Sequence, residues 1–170
     1  NFAFAAQVGK IFGVSDKDIS DVLDNFTGLS HRLEKITSIN NIVFINDSKA
    51  TNIASTLWAL NLINEPIFLI AGGLDKNLDF SAINVYSHKI KRMVLIGQAR
   101  DKIKQAFNCK DKCVFAKDLK EAVRYSFSNA ASGDCVLLSP MCASFDMFKD
   151  YKERGDLFKQ YVLALSAENS

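Results

Sequence analysis

The sequence predicts an α/β fold, a Rossmann-like three-layer domain with a mostly parallel six-stranded sheet, preceded by two helices. Three observations carry this reading. Short β-branched or aliphatic runs recur at residues 34–37, 42–45, 67–71, 93–96, 113–115 and 135–138. Amphipathic segments at 51–63, 80–87, 99–107 and 119–129 separate the later runs, and 146–165 adds a last helical region. The apolar period also changes from helical to strand-like near Arg32.

In chain order, the apolar residues from Phe2 to Phe12 fall at helical spacing and Gly13 is a plausible stop. Ser15, followed three residues later by Asp18, resembles a capping box that opens a second helix to about Phe26. The opening Asn1-Phe2-Ala3-Phe4 carries neither an initiator Met nor a cap, so a fragment of a longer protein is expected. The period change sets an expected boundary between residues 1–31 and 32–170. Residues 38–41 join the first two runs as a hairpin, and the remaining runs read as βαβ crossovers. The two prolines, Pro66 and Pro140, both stand beside strands.

Composition narrows the function classes. At 170 residues, with 48% hydrophobic and 24% charged, the chain has material for one good core, or one domain plus an appendage. The net charge of +2 comes from well-mixed signs, which implies neither nucleic acid nor an anionic membrane as main partner. No apolar run approaches the roughly 18 residues of a membrane span, and no secretory signal pattern is present. Cys109, Cys113, Cys135 and Cys142 lack Cys-x-x-Cys spacing, and only His31 and His88 could join them, so no metal site is expected. Reduced thiols and a cytoplasmic setting follow.

Ligands of open α/β sheets lie at the carboxyl ends of the strands. Three polar loops fall there: residues 46–52 (Asn-Asp-Ser-Lys-Ala-Thr-Asn), 72–77 (Gly-Gly-Leu-Asp-Lys-Asn) and 139–144 (Ser-Pro-Met-Cys-Ala-Ser). Each has a plain reading. Asp47 or Ser48 would cap the next helix, Gly72-Gly73 would form a simple turn, and Ser144 would cap a helix. Together, however, they place Lys49 and Lys76 on one sheet edge, where mutual repulsion favours an anionic ligand. Ser144 would then offer a hydroxyl and an N–H to a carboxylate at a helix N-terminus. No nucleophile elbow surrounds it, which argues against hydrolase chemistry. Composition alone makes Arg32 a surface or inter-domain ion-pair residue, leaves His31 and His88 without acid–base partners, and assigns Trp58 and the Phe residues to the core. Neither a Gly-x-x-x-x-Gly-Lys-Ser/Thr loop nor a Gly-x-Gly-x-x-Gly turn occurs. Unaided physics thus reaches an anion-binding α/β domain.

Four stretches, residues 26–34 (Phe-Thr-Gly-Leu-Ser-His-Arg-Leu-Glu), 46–52, 138–146 and 152–155 (Lys-Glu-Arg-Gly), resemble the Mur ligases in order and spacing. The Asp-Ser-Lys-Ala-Thr-Asn loop is similar to that of the D-glutamate-adding branch. The resemblance implies a central-domain tail at residues 1–31, followed by the family's C-terminal Rossmann-like domain at 32–170. It further implies ATP as cofactor with Mg2+, and UDP-MurNAc-L-alanine and D-glutamate as small-molecule substrates joined through an acyl phosphate. The P-loop and magnesium ligands would precede Asn1, which leaves no metal ligand here and makes the fragment inert alone. By the same resemblance, Asn1, Arg32, Asp47 and Lys49 face ATP, with Lys49 and Arg32 acting catalytically on its phosphates. Thr51, Lys76, Ser144 and Tyr151 hold D-glutamate, Tyr151 standing where the family usually carries Phe. A monomer, hinged between Gly28 and Arg32, completes the expectation. Two alternatives stay open: another Mur or folylpolyglutamate synthase-like ligase, and a non-catalytic nucleotide- or anion-binding module.

Overall fold

The computed structural model describes residues 2–168. Two helices come first, α1 (Phe2–Ile11) and α2 (Asp16–Asn25), with Ser15 Oγ accepting from the Asp18 N–H at 3.1 Å as the cap. Neither helix buries a residue. Their apolar side chains, Phe4, Ile11, Phe12 and Val22 among them, remain exposed.

The six expected strands all form: β1 (Glu34–Ile39), β2 (Ile42–Asn46), β3 (Ile67–Gly72), β4 (Ile90–Ile96), β5 (Cys113–Phe115) and β6 (Cys135–Leu138). They lie in one sheet of order β1-β2-β6-β3-β4-β5, antiparallel only between β1 and β2. That first pair is a two-residue hairpin in which Ile39 faces Ile42. Asn40 and Asn41 have φ of 51° and 62°, the left-handed values such a tight turn needs and that Asn tolerates. The register of β1 slips once between Lys35 and Thr37.

Strand alternation sorts the core into two layers. Leu69, Leu95 and Leu137 point to the face covered by α3 (Ile53–Leu62), the 3-10 helix Phe80–Tyr86 and α4 (Arg100–Ala106), where Leu60, Ile83 and Ile103 meet them. Ile70, Val94 and Val136 point to the opposite face, against Val123 of α5 (Leu119–Asn129) and Phe158 and Val162 of α6 (Tyr151–Glu168). The parallel strands are buried on both faces, which is why β3 and β6 are apolar throughout.

Two expectations need correction, and one element is added. The amphipathic segment after β3 is a 3-10 helix rather than an α-helix; Asp79 caps it by accepting from the Ser81 N–H at 2.9 Å. A second 3-10 turn, Lys110–Lys112, precedes β5. The last helix starts at Tyr151, later than the expected 146. Met147 and Phe148 N–H groups turn back onto the Ser144 carbonyl, and Asp150 then accepts from the Lys152 and Glu153 N–H groups at 2.8 Å each.

Chain order places the site. From β2 the chain passes through α3 to β3, leaving a gap in the sheet that β6 later fills after α5 carries the chain back. The carboxyl ends of β2, β6 and β3 therefore lie side by side, with helices of opposite faces around them, as at the switch points of doubly wound sheets. Among the described residues no helix is long and apolar enough to cross a membrane.

Helix α6 is seated against this edge through Gly155. A Cβ there would run into the imidazole ring of the buried His31. Alanine normally gains up to about 1 kcal/mol over glycine inside a helix. Here the collision outweighs that gain, since His31 is held from other sides. Gly155→Ala is expected to lower the unfolding free energy by about 1–3 kcal/mol, measured by urea denaturation; an increase would show that His31 can move aside.

Candidate functional site

Three loops at the carboxyl edge are joined by buried polar contacts. The first joint is Arg154 of α6, which is fully buried. Its Nε donates to Ser48 Oγ at 3.0 Å, Nη2 to the Ser48 carbonyl at 2.9 Å and Nη1 to the Cys142 carbonyl at 3.1 Å. One guanidinium thus ties the loop after β2 to the loop after β6. Burial pulls its pKa down to about 10, so it remains charged at neutral pH.

The second joint is Asp47. Its Oδ2 accepts from Ser139 Oγ at 2.8 Å, its Oδ1 from the Leu33 N–H at 3.3 Å, and Ser139 in turn donates to Thr56 Oγ1 at 2.9 Å. Burial raises the Asp47 pKa to about 6, against the opposing effect of these hydrogen bonds and of the nearby Arg32 charge.

Further contacts bring in the loop after β3. Leu74 bridges to Ala143 with an N–H···O of 2.9 Å, Gly72 N–H donates to the Pro140 carbonyl at 2.9 Å, and Gly73 O accepts from the Ala99 N–H at 2.9 Å. Gly73 has φ of 139°, and a Cβ there would collide with the Ala143 carbonyl. The strand-end Asn46, also fully buried, donates toward Glu34 Oε2 at 3.2 Å and the Gly155 carbonyl at 3.2 Å, and lies 3.1 Å from His31 Nδ1.

The expected site residues distribute as follows. Asn1 lies outside the described residues. Arg32, Asp47 and Lys49 line one cavity of about 1010 Å³, together with Ala54, Ser55 and Trp58 of α3 and an apolar wall of α1 and α2. Lys49 Nζ rests 3.9 Å from the centroid of the Tyr151 ring, so those two residues meet. Ser144 is buried, Thr51 half-buried and Lys76 exposed; none of the three lines that cavity. They stand instead on the three loops tied together above.

Four expectations change. The cap of α3 is Asn52, whose Oδ1 accepts from the Ser55 N–H at 2.9 Å, so neither Asp47 nor Ser48 is the cap. Ser144 sits in a turn ahead of α6, which begins only at Tyr151, and so not at a helix N-terminus. Trp58 is 60% exposed and lines the cavity rather than the core, as Phe2 and Phe26 do. His31 does have acidic neighbours, Glu34 at 4.0 Å and Asp156 at 3.6 Å, besides Asn46. All four cysteines are free, and burial pushes the Cys135 and Cys142 thiols up to about 12, so neither is a thiolate at neutral pH.

Arg154 and Asn46 were not singled out for a role by sequence reasoning. Arg154 did fall inside the Lys-Glu-Arg-Gly stretch, but nothing in that spacing tells of a partner about a hundred residues away. Among the described residues no group of three or more His, Cys, Asp or Glu could hold a metal ion.

The raised Asp47 pKa sets a pH dependence. Its folded-state value of about 6 exceeds the unfolded value near 3.8, so the folded state binds this proton more tightly. The penalty for burying the charge is absent below the unfolded pKa and complete above the folded one. Asp47→Asn should therefore match the wild type in stability near pH 4 and exceed it near pH 8 by about 1–3 kcal/mol. Urea unfolding at both pH values measures the gap; a gap independent of pH would remove the assignment.

The arrangement has relatives. Residues 31–142 match the family model described as Mur ligase, glutamate ligase domain. The UDP-N-acetylmuramoylalanine–D-glutamate ligase of Bacillus cereus strain AH187 is 43% identical over 164 residues, 95% of this chain, and that of Bacillus mycoides strain KBAB4 is equally similar. The chain spans 36% of the length of each. Among solved structures, UDP-N-acetylmuramate-alanine ligase MurC of Thermotoga maritima aligns with a TM-score of 0.67 at 14% identity, over 94% of this chain and 36% of that one. Folylpolyglutamate synthase of Mycobacterium tuberculosis, solved with ADP and AMPPCP, aligns with a TM-score of 0.64 at 15% identity, over 91% and 38%. These two share the fold. With the family model covering most of the chain and this identity to the curated relatives, the chain belongs to the Mur ligase family and carries its glutamate ligase domain.

Proposed function

We propose that this chain is the amino-acid-presenting part of an ATP-dependent ligase that joins D-glutamate to UDP-MurNAc-L-alanine in the synthesis of a peptidoglycan precursor. The observation that carries the reading is the convergence of the three loops at the carboxyl edge of β2, β6 and β3, tied by Arg154, Asp47 and the Leu74–Ala143 bridge. The 43% identity to D-glutamate ligases supports the choice of amino acid.

D-glutamate brings two carboxylates and one amine that must be aimed. Lys76, on the Gly-Gly loop, is the cation for one carboxylate; Thr51 and Ser144 offer hydroxyls to the other, with Tyr151 packing alongside. Rigid loops matter here because orientation of the nucleophile lowers the barrier only if its holders do not move. Arg32 and Lys49 face the cavity with Asp47, where two cations suit a nucleotide's phosphates and the charge that develops during transfer. Asn1 would read the adenine. ATP, when bound, supplies the phosphoryl group that activates the acceptor carboxylate as an acyl phosphate. Mg2+, when bound, would neutralise charge on the nucleotide's phosphates; among the described residues no group of three or more His, Cys, Asp or Glu could hold it.

In this reading residues 1–31 end a central ATPase domain and 32–170 form the ligase domain, within a cytoplasmic monomer. The absence of buried residues in α1 and α2 supports the division, since these helices would pack on the remainder of that domain.

Two outcomes follow. The 170-residue chain, given ATP, Mg2+, UDP-MurNAc-L-alanine and D-glutamate, should release no phosphate above background; turnover would refute the division of labour. In the full-length enzyme, Lys76→Ala should raise the KM for D-glutamate by about tenfold or more, as expected for a lost charge-assisted contact, with little change in the KM for ATP. An unchanged D-glutamate KM would remove Lys76 from the site.

A further inference from the structure

The loop that carries Lys76 is fastened on one side only by backbone. Gly73 O and the Leu74 N–H bind it to Ala99 and Ala143, but Lys76 lies past both joints, exposed on a loop that continues to Asp79. Beyond Leu74, the side chain of Asp75 takes over. Its Oδ1 accepts from the Asn77 N–H at 2.8 Å, closing a turn around Lys76 in which Asn77 has φ of 59°. Both oxygens of the same carboxylate also face Lys102 Nζ of α4, at 3.2 and 3.4 Å.

Asp75 therefore does two things at once. It folds the loop about Lys76, and it anchors that fold to a helix of the rigid sheet. We propose that the Asp75–Lys102 pair is a positioning device for Lys76, and so sets the affinity of the site for the second carboxylate of the amino acid. The inference rests on the assignment of Lys76 to D-glutamate made above. A second consequence is electrostatic. Asp75 is neutralised by Lys102, so it can stand next to Lys76 without competing with an incoming carboxylate for that cation. Without Lys102, the Asp75 carboxylate would be left uncompensated beside Lys76 in the chain and would compete with the substrate for that cation.

Half-exposed ion pairs are worth little in stability, and the effect expected is correspondingly a change in affinity rather than in folding. In the full-length enzyme, Lys102→Ala should raise the KM for D-glutamate about two- to fivefold, leave kcat and the KM for ATP within about twofold, and leave the unfolding midpoint in place. Lys102→Arg, which can still pair with a carboxylate, should restore the wild-type KM. In a Lys76→Ala background, Lys102→Ala should add nothing, because the group it positions is gone.

Three results would overturn the proposal. The first is a Lys102→Ala enzyme with wild-type D-glutamate KM while Lys76→Ala is impaired, which rejects the device and keeps the site. The second is an additive loss in the double variant, which makes Lys102 an independent contact. The third is a Lys76→Ala enzyme with unchanged D-glutamate KM, which rejects the site assignment and the device together.

Discussion

The candidate site depends on one buried cation. Arg154 enters from the last helix and donates to the backbone of loops that follow different strands, Ser48 after β2 and Cys142 after β6. Among the described residues no carboxylate hydrogen-bonds it, and burial costs it solvation, as its lowered pKa reflects. Carbonyl and hydroxyl oxygens oriented at the guanidinium, together with the charge of Asp146 nearby, favour its charged form. A planar fork with several fixed donors serves two loops together. The loops need such a fastener because their own backbone, at the end of a parallel sheet, has few ladder partners left.

Asp47 shows the opposite balance. A carboxylate whose proton is held up to about pH 6 is one that the fold would prefer neutral, yet the position sits on the rim of the cavity with Arg32 and Lys49. Sites routinely keep such charges at the expense of stability, where a ligand or a reacting group needs them. Arg154 and Asp47 thus divide the work: one charge is spent on geometry and stays out of reach, the other stands at the edge of the space a ligand would fill.

Much of the fold was legible in the chain because its physics is local. Runs such as Ile67 to Ala71 are apolar throughout since a parallel strand is buried on both faces, and the break at residues 38–41 between two short runs marked a hairpin, which the structure tightens to a two-residue turn at Asn40-Asn41. The three loops were legible too, as polar breaks after apolar runs. What failed was long-range. The Arg154–Ser48 contact joins residues separated by 106 positions and Asn46–Gly155 by 109, and no periodicity encodes either. Trp58 misled for a related reason: its side of α3 faces α1 and α2 rather than the sheet, and an aromatic residue by itself does not say which side of a helix is covered. The segment 80–87 has helical spacing, but its start is fixed by Asp79 in a tight turn that winds as 3-10.

The two outer strands of the sheet bear on how the molecule limits pairing with other copies of itself. A parallel sheet with an open row of amide groups is a template for another copy of itself. At one end β5 has only three residues, with the cations Arg100 and Lys104 gathered over the ring of its last residue, Phe115. At the other end, β1 carries its irregular step between Lys35 and Thr37, which bends the strand away from a flat register. A short strand at one rim and an irregular one at the other both disfavour extension of the sheet. The apolar strands at its centre can be as continuous as a doubly covered core demands without making the molecule prone to stack.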